Sequence, residues 1–141
     1  MKNIFLIIVC SWCLAVSLRA ETNDVPPVVI AGLKAYQTNS ANAAYEAWSK
    51  GSLENDRASR QAVMSGLRQM EGLYGKMKDY DLLKTVKIGS YVRRTYVVIL
   101  YERGPAYAYV ECYKADEKWM VTDLMFNTKA NLVFLPSLLG G

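Results

Sequence analysis

The spacing of apolar residues changes its period near Asp81, and this change constrains the fold more than any other feature of the chain. Before Asp81, apolar residues recur at steps of three and four, the spacing of amphipathic helices. After Asp81, β-branched and aromatic residues alternate at steps of two, as in half-buried strands. Helices followed by a run of strands predict an α+β fold, in which two N-terminal helices pack on an antiparallel four-stranded meander.

The first twenty residues have the pattern of a secretory signal peptide. Lys2 supplies a positive charge, Ile4–Leu18 is apolar, and the small residue Ala20 precedes the polar Glu21. The alternatives are removal after Ser17 and a retained membrane anchor, although the apolar stretch is shorter than the roughly 20 residues of a spanning helix. The sequence thus predicts an exported protein, periplasmic or secreted, which contacts the membrane only through residues 1–20 before cleavage. Residues 21–141 then form a single domain.

Composition excludes several classes of function. The 141 residues include no histidine, so histidine-based triads and zinc sites with imidazole ligands are absent in their usual forms. Without residues 1–20, 15 basic residues face 13 acidic ones, which does not favour a nucleic-acid partner. Cys112 is then the one remaining cysteine and cannot form an internal disulfide. The sequence has no glycine-rich phosphate loop, paired-cysteine spacing or calcium loop, so we expect no metal and no cofactor.

The element boundaries follow from turn and cap signals. The first helix is predicted from Val28 to Lys50, with a segment at 38–42 that can kink or split it, and the second from a Ser59 N-cap to an end between Gly72 and Met77. Strands are predicted at Leu82–Ile88, Tyr91–Tyr101, Ala106–Lys114 and Trp119–Phe126. The segment from Asn127 to Gly141 is a tail whose apolar residues 132–135 are expected to dock.

Short turns also predict which side chains share a face of the sheet. If Glu102 pairs with Pro105 and Lys114 with Trp119, the other pairs of the last three strands follow. The first face then carries Thr95, Val97, Ile99, Ala108, Val110, Cys112, Trp119, Val121, Asp123 and Met125. The second face carries Arg94, Tyr96, Val98, Leu100, Tyr107, Tyr109, Glu111, Tyr113, Met120, Thr122, Leu124 and Phe126.

The second face is too aromatic to remain in water, so a cover is required. Because the helices can cover only one face and the tail is short, we expect a two-fold homodimer through this face. Its predicted interface comprises Tyr107, Tyr109, Tyr113, Glu111 and Arg94. Arg94 and Glu111 could form an anion or partner site, and a cross-strand ion pair is the favoured interpretation.

The strand half of the chain resembles a known superfamily. Ile88-Gly89-Ser90 leads into a long strand, Gly104-Pro105 forms a turn, and an acidic turn at 116–118 precedes Trp119-Met120-Val121. With the helical N-terminal half, this arrangement looks like the nuclear transport factor 2-like superfamily over most of residues 27–127. The resemblance implies a cone-shaped roll with a curved sheet, a pocket between helices and sheet, and frequent dimerisation. It also implies functions that range from isomerase and dehydratase chemistry to binding and scaffolding.

Two hypotheses about function follow. The first is an exported binding or scaffolding module that takes a small apolar ligand or an envelope protein, with a pocket lined by Tyr36, Trp48, Val97, Val110 and Trp119. The second is a small pocket enzyme in which Asp123, predicted to face the roll, acts as general base with a raised pKa. A tyrosine would be the donor, with three candidates: Tyr36, Tyr45 and Tyr91. The alternative is that Asp123 lies near the sheet edge and only accepts hydrogen bonds from the backbone or from Arg93. Cys112 is predicted to be a buried structural thiol and not a nucleophile.

Overall fold

The computed structural model describes residues 24–52 and 57–140. The predicted signal peptide, residues 1–20, lies outside the described residues. Among the described helices, none is long and apolar enough to cross a membrane.

Three helices form the N-terminal half: α1 (Pro27–Thr38), α2 (Ala41–Ser49) and α3 (Arg57–Tyr74). The sequence-based count of two is therefore corrected, because the polar segment at 38–42 divides the first helix completely. Ser40 adopts an extended conformation there, and its hydroxyl accepts a hydrogen bond from the Ala43 amide, which caps α2. Helix α3 begins two residues before the predicted cap, Ser59, and ends before Gly75, whose φ of 83° suits a helix terminus.

The strands form one antiparallel meander, as predicted. They are β1 (Met77–Ile88), β2 (Val92–Tyr101), β3 (Pro105–Ala115) and β4 (Lys118–Asn127), in the spatial order β1-β2-β3-β4. Strand β1 starts five residues earlier than the sequence indicated. The β3–β4 turn consists of Asp116 and Glu117, with φ of 44° and 65°, a backbone that matches the twist of a two-residue hairpin.

The helices pack against one face of the sheet, which we call the inner face. The buried core between them includes Val29, Leu33, Leu67, Val97 and Val110. Fully buried side chains from α1, α3, β2 and β3 therefore meet in one layer, which is the α+β arrangement expected from the order of elements.

The predicted face assignment is correct for β2 and β3. Leu100 pairs with Pro105, two residues from the predicted register. Because side chains alternate with a period of two, a two-residue shift preserves the faces. The shift places Glu111 directly opposite Arg94, whereas the predicted pairing of Glu102 with Pro105 placed it opposite Tyr96.

The assignment is wrong for the second half of β4. Cys112 pairs with Val121 but Glu111 pairs with Asp123, so Thr122 is an extra residue in a β-bulge. Beyond the bulge every side chain changes face. Asp123 and Met125 therefore lie on the opposite, outer face, whereas Leu124 and Phe126 pack into the core beneath the helices.

The C-terminal tail covers part of the outer face. It forms single-turn 3-10 helices at Ala130–Leu132 and Pro136–Leu138, and the intervening Val133 and Phe134 are buried. The Phe134 ring packs edge-on against Tyr96 and Tyr107, at centroid distances of 5.9 and 5.3 Å. The expectation that residues 132–135 dock is confirmed for Val133 and Phe134, whereas Leu132 and Leu135 are exposed.

Candidate ligand-binding site

The five residues predicted to line a single pocket are not brought together around one cavity. Val97 and Val110 are 0% and 1% exposed and lie within the core. Tyr36 borders a polar cleft, Trp48 borders a recess of only about 30 Å³, and Trp119 borders an apolar groove.

Trp48, predicted to line the pocket, is instead part of the buried core. Its indole lies directly against Gly32 of α1, so closely that a β-carbon at position 32 would collide with the ring. The indole Nε1 donates to the Val29 carbonyl at 3.4 Å. This large side chain occupies the space between α1 and α2. The accessible depressions therefore lie at the margins of the packed interior.

The apolar groove has a volume of about 830 Å³ and lies between the start of α1, the end of α2 and the β3–β4 turn. Its walls are mostly apolar, and its rim carries charges of both signs. The wall residues are Pro27, Val28, Ala31, Ala47, Trp119 and Met120, and the rim residues are Lys50, Gly51, Ala115, Asp116, Glu117 and Lys118.

Local sequence features explain why the groove is open. Ala31 and Ala47 have short side chains, and Gly51, with φ of 83°, turns the chain away after α2. The two-residue turn at 116–117 places Trp119 immediately after the hairpin. The Arg93 guanidinium lies 5.4 Å from the centre of the Trp119 ring and helps to hold it in position.

Asp123 belongs to a polar network on the outer face, away from the helices. The Tyr109 hydroxyl donates to Asp123 Oδ2 at 2.6 Å, and this hydrogen bond, followed by burial, raises the pKa of Tyr109 to about 12. Arg94 contacts Glu111 Oε2 through Nε at 3.0 Å and Nη2 at 2.6 Å, and its guanidinium lies 4.6 Å from the Tyr109 ring centre. The favoured cross-strand ion pair is confirmed. The prediction that Asp123 faces the roll is wrong, because the bulge at Thr122 turns it outward.

The other predicted interface residues differ in exposure. Tyr107 packs against Phe134 of the tail. Tyr113 is 42% exposed and lies on the part of the outer face nearest the β3–β4 turn.

The candidate proton donors do not surround Asp123. Tyr36 of α1 and Tyr45 of α2 are buried in the core. Tyr91 is exposed in the β1–β2 turn. Cys112 is fully buried, and burial raises the pKa of its thiol to about 12, so the interpretation as a structural thiol holds. Within residues 24–52 and 57–140, no group of three or more cysteine, aspartate or glutamate side chains could hold a metal ion.

Sequence reasoning missed most of the groove. Val28, Ala31 and Ala47 were assigned to helices. The hydrophobic pattern of the sequence did not show that the start of α1 and the end of α2 meet beside the β3–β4 turn. The recurrence of alanine at positions 41, 44 and 47, in steps of three along α2, is a signal of close helix packing that could have indicated it. A scan against protein-family models, a search of curated proteins and a search of solved structures each found no match.

Proposed function

We propose that this protein is an exported binding module that takes a small apolar ligand in the groove beside Trp119. The observation that carries the proposal is a groove of about 830 Å³ with mostly apolar walls. Small-molecule sites have volumes of about 300–1,000 Å³ and apolar walls with a few polar groups at the margin. The charges on the rim have both signs, so they select no particular ligand charge.

The size of the groove favours a small molecule over a protein partner. Twelve of the described residues line it. A stable protein interface uses about 20–30 residues on each side. An envelope protein, the other occupant considered from the sequence, would need a larger surface than the groove supplies.

The alternative, an isomerase or dehydratase with Asp123 as general base, lacks geometric support. A pocket base must reach a proton of the bound substrate at hydrogen-bond distance. Asp123 accepts its hydrogen bond from Tyr109 on the outer face, and the groove lies at the edge of the helical layer.

Binding of the dye anilinonaphthalene sulfonate, followed by its displacement with dodecanol, tests the proposal. We expect the native protein to bind the dye and Ala31→Trp, which fills the groove, to weaken binding by about tenfold or more. Ala62→Trp is the matched control, because Ala62 is exposed on α3 and does not line the groove. Near-ultraviolet circular dichroism establishes that each variant is folded. Equal dye binding by both variants, or none by the native protein, contradicts the proposal.

Export is supported by the signal-peptide pattern of residues 1–20. We expect the mature chain to begin at or near Glu21. Mass spectrometry of the protein isolated from its native source measures this directly. An intact N-terminus recovered in the membrane fraction would instead indicate the retained anchor.

A further inference from the structure

A second depression lies at the other end of the α1–α2 pair. This polar cleft has a volume of about 610 Å³. It is bordered by the end of α1, the start of α2, the middle and last turns of α3, the start of β1 and Glu102. The apolar groove is bordered by the start of α1 and the end of α2, and the two depressions share no lining residue. Ligands at the two sites can therefore be measured separately.

The cleft is polar over most of its wall. Neutral hydrogen-bonding side chains come from the helix junction: Gln37, Thr38, Asn39, Ser40 and Asn42. The charged lining residues are Arg68, Glu71, Lys76 and Glu102. A site with two cations, two carboxylates and several amides suits a ligand that carries both charges and additional polar groups.

Tyr36 gives the cleft a fixed inner wall. The Tyr36 hydroxyl lies 3.2 Å from the Tyr101 hydroxyl and donates to the Leu67 carbonyl at 3.4 Å. Burial, then Tyr101 and then the nearby Glu71 carboxylate raise the pKa of Tyr36, so this hydroxyl keeps its proton. Tyr36 therefore borders the cleft as a neutral side chain close to the Glu71 carboxylate.

The charged residues differ in whether the protein already satisfies them. Lys78 engages Glu102 at 3.5 Å. Among the described residues, Arg68 and Lys76 form no side-chain salt bridge. Arg68 and Glu71 are three residues apart on α3, which places their β-carbons about 5–6 Å apart on one helix face. The cleft thus presents a positive and a negative group side by side.

We propose that the polar cleft binds a free zwitterionic amino acid, with its carboxylate at Arg68 and Lys76 and its ammonium group at Glu71. Asn39, together with the remaining hydrogen-bonding capacity of the Gln37 and Asn42 amides, would contact the ligand's side chain. A phosphate dianion suits the cleft less well, since Glu71 and Glu102 would repel it. A neutral sugar could form hydrogen bonds to Arg68 and Glu71, but it would supply no opposite charge to either group.

Isothermal titration calorimetry of the mature protein with each common L-amino acid in turn tests this inference. We expect at least one to bind with a dissociation constant of about 1 mM or tighter. Its N-acetyl derivative lacks the ammonium group and its amide lacks the carboxylate, and each should bind about tenfold or more weakly. No binding by any amino acid, or a derivative that binds as tightly as the free amino acid, overturns the proposal.

Variants on α3 locate the site. Arg68→Gln and Glu71→Gln should each weaken binding of the amino acid by about tenfold or more. Arg57→Gln, on the same helix but outside the cleft, should leave it unchanged. Dye binding in the apolar groove should be the same in all three variants, and near-ultraviolet circular dichroism establishes that they are folded. Unchanged amino-acid affinity in Arg68→Gln and Glu71→Gln overturns the proposal without bearing on the groove.

Discussion

The outer-face network illustrates how single residues act in this protein. The side chains of Arg94 and Glu111 are 32% and 22% exposed, so their pairing is partly removed from water. Tyr109 connects this pair to Asp123. Its ring makes a cation–π contact with the Arg94 guanidinium, and its hydroxyl donates a hydrogen bond to the Asp123 carboxylate. Removing one member would leave a half-buried charge without its partner, which costs more than the loss of an ordinary surface pair.

The Cys112 thiol makes the folded protein less stable at alkaline pH. Burial, followed by the Glu111 charge, raises the pKa of its thiol from 9.0 to about 12. Because the folded-state pKa is the higher one, the unfolded chain loses the proton first, so stability is complete below about pH 9 and falls as the pH rises toward 12. We expect the free energy of unfolding to fall by about 1.4 kcal/mol between about pH 8 and pH 10 from this group.

Urea titrations of the native protein and of Cys112→Ala at the two pH values measure the contribution of the thiol. The variant should be less stable at both, yet lose about 1.4 kcal/mol less than the native protein between them. Tyr101, whose pKa burial raises to about 12, adds pH dependence in the same direction to both proteins and cancels in the comparison. An identical loss in both proteins would contradict the prediction.

At the scale of elements, two close contacts determine how the secondary structures pack. Gly32 lets the Trp48 indole lie against the α1 backbone, and this contact brings α1 and α2 together. Gly66 of α3 has the Phe126 ring next to its backbone, which brings α3 onto β4. Both glycines are in helices, where glycine is unfavourable by itself, so close packing accounts for their presence.

The pair Gly32 and Gly72 separates packing from helix propensity. Gly32→Ala would place a methyl group in the position of the indole and should destabilise the protein by about 1–3 kcal/mol. Gly72 is also in a helix, but a β-carbon there meets nothing within 4 Å, so Gly72→Ala should stabilise by about 0.5–1 kcal/mol. Chemical denaturation of both variants measures the difference. Changes of the same sign would show that the indole is not held against α1 in this way.

The tail stabilises the protein through the side chains that pack on the outer face of the sheet. Phe134 is buried against Tyr96 and Tyr107, so Phe134→Ala should cost about 3 kcal/mol or more. Leu135 is the neighbouring residue and is exposed, so Leu135→Ala should change stability by about 0.5 kcal/mol at most. Thermal or urea unfolding compares the two, and an equal small effect would mean that the tail is not docked in solution.

At the scale of the whole molecule, both faces of the sheet are covered, the inner by the helices and part of the outer by the tail. Of the five predicted interface residues, Tyr113 alone is exposed. It shares a row with Ile88, and Tyr91 lies next to this row at the β1–β2 turn; all three are exposed. The homodimer expected from the sequence remains a prediction. The surface through which it would form is this exposed row.

Sedimentation equilibrium at tens of micromolar tests the dimer. If it forms through the exposed row, Tyr113→Glu should place a charge in the interface and convert the protein to a monomer without affecting the fold. Leu73→Glu is the matched control, since Leu73 is an exposed apolar residue on α3, away from the outer face. A monomeric native protein would contradict the dimer prediction and would mean that the tail covers enough of the outer face.

The order and type of the elements could be predicted from the sequence because they depend on local patterns. The change of period near Asp81 separated helices from strands, and Ser40 and the polar residues around it indicated the break between α1 and α2. The faces of β2 and β3 were also predictable, since a short turn fixes the parity of the pairing even when the register shifts by two residues.

Tertiary structure alone decided the rest. An alternating sequence does not reveal a bulge, so the extra residue Thr122, which exchanged Asp123 for Leu124 on the inner face, appeared only when β4 paired with β3. The same holds for Trp48, which packs against α1 in the core, and for Phe134, which covers part of the outer face. In each case the outcome depends on contacts between residues distant in sequence, where the burial of a large apolar side chain outweighs the local pattern.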